Sequence, residues 1–286
     1  MIHAGHLAPM GCWDTNMLFQ LPNNELYPTG HTFTHVEGYP NTNDGVVMVI
    51  PGRYWHEHTD QISEELSRYR WVLAMRTGDE EDLFDIAAVE HPNIRWWVQT
   101  PMTTRTYRDA RLFGCGWTTE FNNVEFGGDD LDVFLSAQNT HKRRNAAFVT
   151  LSGIRCEKVI HESKGFTQGY EPGEYQQFMA RAKIAPCPSG AFSPDSFRLF
   201  EALQAHCVPI ADNESPNPSY PAAGYWHMLF PDCPFPLLST YEQLPGYVAD
   251  QLALWPANSN RITVWWMRQK RELSQWLRDD IEALNT

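Results

Sequence analysis

Short apolar runs alternate regularly with amphipathic segments along much of this sequence. In the first half of the 286-residue chain, apolar runs occur at 46–50, 71–75 and 94–99, separated by segments of helical periodicity at 58–70 and 79–90. The apolar runs have the length of strands, and the intervening segments space their apolar residues as a helix does. This order predicts a parallel sheet covered by helices.

The ends of this first block are less regular. A short strand is predicted at Ile2 and a helix at 14–20, within a segment rich in Pro, Asn, Gly and His. Residues 114–130 are rich in Gly, Asn and Asp and interrupt the alternation, which indicates a domain boundary. We therefore expect an N-terminal domain at 1–128 and a C-terminal domain at 129–286.

The second half repeats the alternation. Strands are predicted at 131–137, 156–161, 183–188 and 208–211, and helices at 141–153, 172–182, 193–206, 240–253 and 261–284. Two consecutive α/β blocks of similar size predict an α/β protein with two Rossmann-like domains facing each other across a cleft. We expect the last helix to pack back on the first domain.

Composition excludes several classes of protein. With 42% hydrophobic and 20% charged residues the chain is of globular type, and no apolar run approaches the roughly 18 residues of a membrane span. The net charge of −13 disfavours a broadly basic nucleic-acid-binding face. Because the start lacks the pattern of a signal peptide, we expect a cytoplasmic protein, or one of the host cytoplasm if a phage encodes it. Six cysteines without a C-x-x-C pair indicate buried free thiols.

The segment 186–213, PCPSGAFSPDSFRLFEALQAHCVPIADN, carries the strongest chemical indication. Ser193 is a good N-cap followed by Pro, so a helix is predicted to begin there. A helix N-terminus at the carboxyl edge of a parallel sheet suits a phosphate group. Arg198 could add a bidentate contact to a diphosphate, and Glu201 could accept hydrogen bonds from ribose hydroxyls. The alternative is an ordinary surface ion pair between these two residues.

Residues 183–213 resemble the donor-binding segment of exostosin-type glycosyltransferases. The likeness lies in an apolar strand with Pro, a Ser/Gly loop, Ser-Phe-Arg, Glu-Ala-Leu, and Cys-Val-Pro before a second apolar strand. It implies a GT-B fold in which the C-terminal domain holds a nucleoside-diphosphate sugar, with a UDP-sugar as the first expectation, and the N-terminal domain presents the acceptor. It also implies that Arg198 faces the diphosphate and Glu201 the ribose, with Ser193 and Ser196 near the phosphates.

A looser resemblance covers 132–149, the strand and basic stretch that open the same domain in that family. It implies that Arg143 or Arg144 helps to neutralise the leaving diphosphate. Charge stabilised by arginines and a helix end needs no metal, and we expect none. The chain departs from the family at His206, where a small residue, often Gly, precedes the Cys.

An inverting glycosyltransferase also needs a base that deprotonates the acceptor hydroxyl. Candidates lie in the predicted N-terminal loops: Asp14, which we prefer, His6 in the same loop, and Glu37. Asp14 is preferred because a loop after the first strand would reach the interdomain cleft. For each of the three, the alternative is a solvated or capping side chain.

Two motifs suggest a metal site instead. Asp130 and Asp132 form an Asp-x-Asp, which metal-dependent transferases of another fold use to hold a divalent cation, but Asp132 also stands at the start of a predicted strand. His56 and His58 have metal-like spacing without a clear third ligand. A loop is therefore the preferred interpretation of both motifs.

The resulting expectation is a metal-independent glycosyltransferase that moves a sugar from a nucleoside-diphosphate sugar to a saccharide or another hydroxyl acceptor. One alternative is a phage-type DNA glycosyltransferase acting on a hydroxymethylated pyrimidine base. It is suggested by two arginine-containing segments, the aromatic-laced 95–111 and the HKRR stretch at 141–144. The second alternative is a non-catalytic protein that binds the sugar nucleotide.

Overall fold

A computed structural model describes most of the chain, and its contacts group the residues into two compact units. The described residues are 2–7, 33–107, 109–125, 127–165, 168–218, 220 and 222–286. Unit 1 comprises Met1–Cys115 and Arg268–Thr286, and unit 2 comprises Gly116–Met267.

Unit 2 begins earlier than residue 129, where composition predicts the domain boundary. The segment before residue 129 packs within unit 2: the ring of Trp117 lies 5.8 Å from that of Trp266, and the ring of Phe121 lies 5.7 Å from that of Tyr175. A Gly- and Asn-rich composition indicates irregular backbone, but burial of its large aromatic side chains determines which core the segment joins.

Unit 1 contains a six-stranded parallel sheet in its described residues. Its strands are β1 (Ile2–His6), β2 (Phe33–Glu37), β3 (Val46–Pro51), β4 (Val72–Thr77), β5 (Ile94–Gln99) and β6 (Arg111–Phe113). The strand order is β2-β1-β3-β4-β5-β6. Every residue of β3 and β4 is buried, as expected for central strands covered on both faces. The strands predicted from the apolar runs of this half are confirmed.

The helices of unit 1 differ more from expectation. They are α1 (Gly52–Trp55) and α2 (Thr59–Leu66), and α2 buries Ile62 and Leu66 in the core. The helix predicted at 79–90 is wrong, because only a short 3₁₀ turn forms there. The helix predicted at 14–20 lies outside the described residues.

A buried arginine explains the loop that replaces the predicted helix. Arg76, at the end of β4, is fully buried and pairs with Asp79 and Asp82. The Asp79 carboxylate also accepts hydrogen bonds from the backbone amides of Leu83 and Phe84. A buried charge without a partner costs far more than helix propensity contributes, so the acidic segment wraps around the arginine.

Unit 2 contains a five-stranded parallel sheet in its described residues, in the order β11-β10-β9-β7-β8. Its strands are β7 (Leu131–Gln138), β8 (Lys158–Ser163), β9 (Ala182–Cys187), β10 (Val208–Asp212) and β11 (Leu237–Leu238). Its helices are α3 (Lys142–Gly153), α4 (Pro172–Arg181), α5 (Phe197–Gln204), α6 (Tyr225–Leu229), α7 (Leu244–Ala253) and the start of α8 (Ala257–Asn285).

The helix α8 begins in unit 2 and ends in unit 1. Within unit 1 its Asp280 accepts a hydrogen bond from Trp97 Nε1 at 2.9 Å and pairs with Arg111 at 3.1 Å. The buried carboxylate thus ties the end of the chain to β5 and β6. Among the described residues, no helix combines the length and the apolar character needed to cross a membrane.

Both sheets share one topology. In each sheet the second strand lies on one side of the first strand, and the third strand lies on its other side. The order in which the chain adds strands therefore reverses between β1 and β3 in unit 1 and between β7 and β9 in unit 2. In open α/β sheets, ligands bind at the carboxyl ends of the strands beside such a switch point. The α/β class with two parallel sheets is confirmed, and the topology directs attention to the carboxyl ends of β7 and β9.

Candidate functional site

Two loops leave the sheet of unit 2 at its switch point. The chain passes from β7 through residues 139–141 into α3, and from β9 through residues 188–196 into α5. Because β7 and β9 are parallel neighbours, both loops lie at the carboxyl edge of the sheet. The three arginines expected to contact a diphosphate lie in the first turns of these helices: Arg143 and Arg144 in α3, and Arg198 in α5.

Arg198 is anchored at this edge through one nitrogen. Its Nε donates a hydrogen bond to the backbone oxygen of Ser136 in β7, at 3.0 Å, and the side chain is half-buried. Within the part of the chain that the structure describes, its Nη1 and Nη2 form no hydrogen bond or ion pair. A guanidinium held in this way keeps two terminal amino groups for a bidentate contact with a phosphate.

Glu201 lies one turn further along α5 and is only 6% exposed. Its Oε1 accepts a hydrogen bond from the Thr118 hydroxyl at 3.2 Å, and its Oε2 accepts one from the Tyr175 hydroxyl at 2.9 Å. Burial raises the pKa of Glu201, and the nearby Arg198 guanidinium opposes that rise. The alternative prediction, an ordinary surface ion pair between Glu201 and Arg198, is therefore wrong. A carboxylate offers about four acceptor positions, so two remain for further hydroxyl donors.

Arg144 joins the two loops. Its Nε donates to the backbone oxygen of Ser189 at 3.1 Å, and its Nη1 donates to the backbone oxygen of Gln138 at 3.1 Å. His141, the N-cap of α3, accepts a hydrogen bond from the Arg144 amide through Nδ1. Burial and the Arg144 guanidinium lower the pKa of His141, which favours the neutral ring that this cap requires.

Arg143 binds a carboxylate that the sequence analysis did not single out. Its Nε lies 3.0 Å from both oxygens of Asp212, the last residue of β10, which is fully buried. In this arrangement the charge of Arg143 is matched by Asp212 rather than left for a diphosphate. Of the two arginines expected to assist the leaving group, Arg144 is the one bound to loop carbonyls at the switch point.

Asp212 is the centre of a larger network. Its Oδ2 accepts hydrogen bonds from the Tyr241 hydroxyl at 3.1 Å and the Ser189 amide at 3.3 Å, and its Oδ1 accepts one from the Glu214 amide at 3.2 Å. Burial raises the pKa of Tyr241, and the Asp212 charge raises it further. An Asp that directly ends an apolar strand is the signal by which the sequence could have revealed this residue.

The loop between β9 and α5 corrects the predicted helix start. The N-cap is Ser196 and the helix begins at Phe197, so the start predicted at Ser193 is wrong. Tertiary contacts hold the intervening residues in a loop: Ser193 Oγ accepts from the Asp195 amide at 3.2 Å, and the Asp195 carboxylate accepts from the Tyr225 hydroxyl at 2.9 Å. Asp195 therefore serves the loop rather than the helix dipole.

Two serine hydroxyls of this region are buried without a partner. Ser189 Oγ and Ser196 Oγ form no hydrogen bond with the residues that the structure describes. Leaving a buried hydroxyl unsatisfied costs about 1–3 kcal/mol, and such groups are rare in native proteins. Ser196 is one of the two serines expected near the phosphates, whereas Ser189 was not anticipated.

The candidate bases lie in unit 1 or outside the described residues. Asp14 falls outside them. His6 is the last residue of β1 rather than part of a loop, which corrects the expectation, and its backbone oxygen accepts from the Gly38 amide at 2.8 Å. Glu37 ends β2 and is the register partner of His6. The sheet thus brings His6 and Glu37 together at its carboxyl edge.

The aspartates of the Asp-x-Asp pair with separate cations. Asp130 binds Arg181, with Oδ1 3.0 Å from Nε, and Asp132 binds Lys183 at 2.8 Å. Both pairs lie at the amino end of β7, away from the switch-point loops. Among the described residues, no group of three or more His, Cys, Asp and Glu side chains is arranged to hold a metal ion.

The histidines of the WHEH stretch make local contacts. His56 Nδ1 lies 3.0 Å from the backbone oxygen of Arg53, and the His58 ring lies 5.4 Å from that of Trp55. Both contacts lie within the short helix and the 3₁₀ turn that follow β3, so the loop predicted for these two histidines is wrong.

The arginines of segment 95–111 have acidic partners in unit 1. Arg105 pairs with Asp82 at 2.9 Å, and Arg95 pairs with Asp280 at 3.6 Å, alongside the Arg111 pair already described. Arg108 lies outside the described residues. The interleaved Trp96 and Trp97 are buried, so they contribute to the core.

Comparison with known proteins adds no family assignment. No protein-family model matches the chain, and no curated protein sequence matches it at a significant level.

Proposed function

We propose that the protein is a glycosyltransferase that moves a sugar from a nucleoside-diphosphate sugar to an acceptor hydroxyl, with unit 2 as the donor-binding half of a GT-B arrangement. The observation that carries the proposal is Arg198, which is anchored at the switch point through Nε while its terminal nitrogens form no bond with the described residues. The same residue occupies the Ser-Phe-Arg of the exostosin-like segment.

The chemistry of glycosyl transfer explains why such an arginine is needed. Breaking the bond between the anomeric carbon and the phosphate places negative charge on the departing diphosphate, and that charge must be stabilised. Arg198 contributes two charge-assisted hydrogen bonds to it, worth about 1.5–3 kcal/mol each. Arg144 orders the loops on either side, and the hydroxyls of Ser189 and Ser196 supply further donors.

Glu201 is the proposed ribose contact. Its carboxylate is held by Thr118 and Tyr175 and has acceptor capacity left for ribose hydroxyls. Because it is mostly buried, a ribose would contact it at its small exposed edge, which demands a closely fitting ligand. For the acceptor, the proposal extends to a saccharide or another hydroxyl compound. The DNA alternative has weaker support, since the Asp82 and Asp280 carboxylates pair with the described arginines of segment 95–111.

The experiment is a binding and turnover screen. The wild-type protein is titrated calorimetrically with UDP, GDP, ADP and CDP and with their common sugar conjugates, and sugar release or transfer is followed by mass spectrometry. We expect micromolar binding of at least one nucleotide family, and transfer to a saccharide or, in the alternative case, to hydroxymethylated duplex DNA. Binding without hydrolysis or transfer would identify a non-catalytic sugar-nucleotide binder.

Two arginine variants test the site itself. Arg198→Ala should weaken the binding of the preferred nucleoside diphosphate by at least about 100-fold, the loss expected when two charge-assisted hydrogen bonds of about 1.5–3 kcal/mol each are removed. Arg181→Ala is the matched control, because Arg181 lies in the same unit but pairs with Asp130 away from the switch point. Equal affinities in the wild type and both variants would refute the site assignment.

A further inference from the structure

An aromatic cluster in unit 2 has no role in the site described so far. Its members lie against one face of β7 and β8: Phe134, His161, Tyr170 and Phe178. The ring centroid of Tyr170 lies 4.3 Å from that of His161, at an interplanar angle of 36°, and 4.8 Å from that of Phe178. Phe134 is fully buried beneath them, whereas Tyr170 and His161 are half-buried.

The cluster lies beside the switch point. His161 in β8 is the register partner of Ser136 in β7, and its Nδ1 lies 3.1 Å from the Ser136 hydroxyl oxygen. The backbone oxygen of the same Ser136 accepts the hydrogen bond from Arg198. Tyr170 belongs to the connection that leaves the carboxyl end of β8. Ser136 therefore contacts both Arg198, the proposed phosphate-binding residue, and the aromatic cluster.

A second route of contacts leads from Glu201 to the cluster. The Tyr175 hydroxyl binds Glu201, and the Tyr175 ring lies 5.4 Å from that of Phe134. Phe134 in turn lies 6.4 Å from Tyr170. Arg198 and Glu201 are therefore each separated from the aromatic cluster by one residue, Ser136 for Arg198 and Tyr175 for Glu201. A nucleoside diphosphate likewise carries its base within a short distance of its ribose and diphosphate.

We propose that Tyr170 and His161 form a stacking subsite for the nucleobase of the donor. The inference rests on the proposed function, since it assigns the third part of the same ligand. Every nucleobase has a flat π-face, and stacking on an aromatic side chain stabilises it with little dependence on which base is present. The subsite therefore supplies affinity for the nucleoside part, while the diphosphate is held separately by Arg198.

The test compares two probes that differ only by the nucleoside: UDP, or the nucleoside diphosphate that the wild type binds best, and inorganic pyrophosphate. Removing the Tyr170 ring in Tyr170→Ala should weaken nucleoside-diphosphate binding about 10- to 100-fold. Pyrophosphate binding should stay within about twofold of wild type, since it has no base to stack. Tyr170→Phe, which keeps the ring, should bind both probes like the wild type.

Two further variants keep the test decisive. Tyr170→Leu retains apolar packing without an aromatic face, so it should show the loss even if Tyr170→Ala folds poorly. Tyr247→Ala removes a tyrosine of the same unit that lies in α7, outside the cluster, and should leave both affinities unchanged. Circular dichroism and thermal melting verify that each variant is folded.

The outcomes separate this inference from the proposed function. If Arg198→Ala weakens both probes while folded Tyr170→Ala and Tyr170→Leu leave nucleoside-diphosphate binding unchanged, the subsite is refuted and the donor site stands. Equal losses for the two probes in the Tyr170 variants would also refute stacking. If the wild type binds neither probe, the proposed function fails and the subsite with it.

Discussion

Replacing Asp212 tests the network that holds the switch-point loops together. Asp212 is fully buried and accepts hydrogen bonds from the Arg143 guanidinium, the Tyr241 hydroxyl, and the amides of Ser189 and Glu214. Asp212→Ala would leave the guanidinium without its carboxylate and deprive three other donors of their acceptor. Breaking a buried ion pair from one side costs about 3–5 kcal/mol. Because the Arg143 side chain is 21% exposed, water can solvate part of its charge, and we expect about 3 kcal/mol.

The companion variant Asp212→Asn separates charge from shape. The amide keeps one oxygen acceptor for the Ser189 or Glu214 amide but turns its other position into a donor, which faces groups that are themselves donors. We expect a loss of about 2 kcal/mol, intermediate between wild type and Asp212→Ala. Asp130→Asn is the matched control, since its carboxylate pairs with Arg181 at an exposed position, and it should leave stability unchanged within error.

The assay is equilibrium urea unfolding followed by the fluorescence of the eleven tryptophans, one of which, Trp226, donates a hydrogen bond from Nε1 to the Asp212 backbone oxygen. A double-mutant cycle with Arg143→Met isolates the pair, and a coupling of about 1–3 kcal/mol is expected for contacting charged groups. A loss below about 1 kcal/mol in Asp212→Ala, or additive effects in the cycle, would refute the view that this carboxylate organises the loops.

Two other predictions concern α5 and its end. His206 has a left-handed backbone conformation, with φ of 63°, which costs less for a residue without Cβ. His206→Gly should therefore raise the free energy of unfolding by about 0.5–1 kcal/mol, whereas His206→Ala, which keeps Cβ, should not. Equal melting temperatures for the two variants would contradict this. Because burial raises the pKa of Glu201 above its ordinary value of 4.5, the folded state favours the protonated acid, and stability should fall as pH rises from about 4.5 through the raised pKa. Urea unfolding of wild type and Glu201→Gln across this range should show the wild type losing stability relative to the variant, and parallel profiles would show that the carboxyl titrates normally.

Local periodicity was sufficient to predict most of the strands, but not β2, β6 and β11. The runs at 46–50 and 71–75 are continuous apolar stretches of strand length, and the run at 131–137 is apolar apart from Asp132 and Ser136. Each forms a largely buried strand of a parallel sheet. The helix at 141–153 was equally clear, and it begins at Lys142. Such elements depend on the spacing of apolar side chains a few residues apart, which is a property of the sequence itself.

The acidic segment after β4 does not adopt the helix that its local pattern predicts. Residues 79–90 have a helical pattern, yet Asp79 and Asp82 turn inward to pair with Arg76, which comes from the preceding strand. The start of α5 is a similar case, since the Asp195 carboxylate binds Tyr225 from a later helix. In both cases a buried polar group needed a partner that periodicity cannot identify.

In the candidate site, too, local relations could be predicted and long-range contacts could not. Local sequence is enough to predict that Arg198 and Glu201 lie one turn apart on a helix that follows an apolar strand. The folded chain was needed to show that β7 and β9 are neighbours, that Arg198 donates to Ser136, and that Glu201 accepts from Tyr175. These contacts join residues far apart in the chain, and strand order together with the burial of charge selects them.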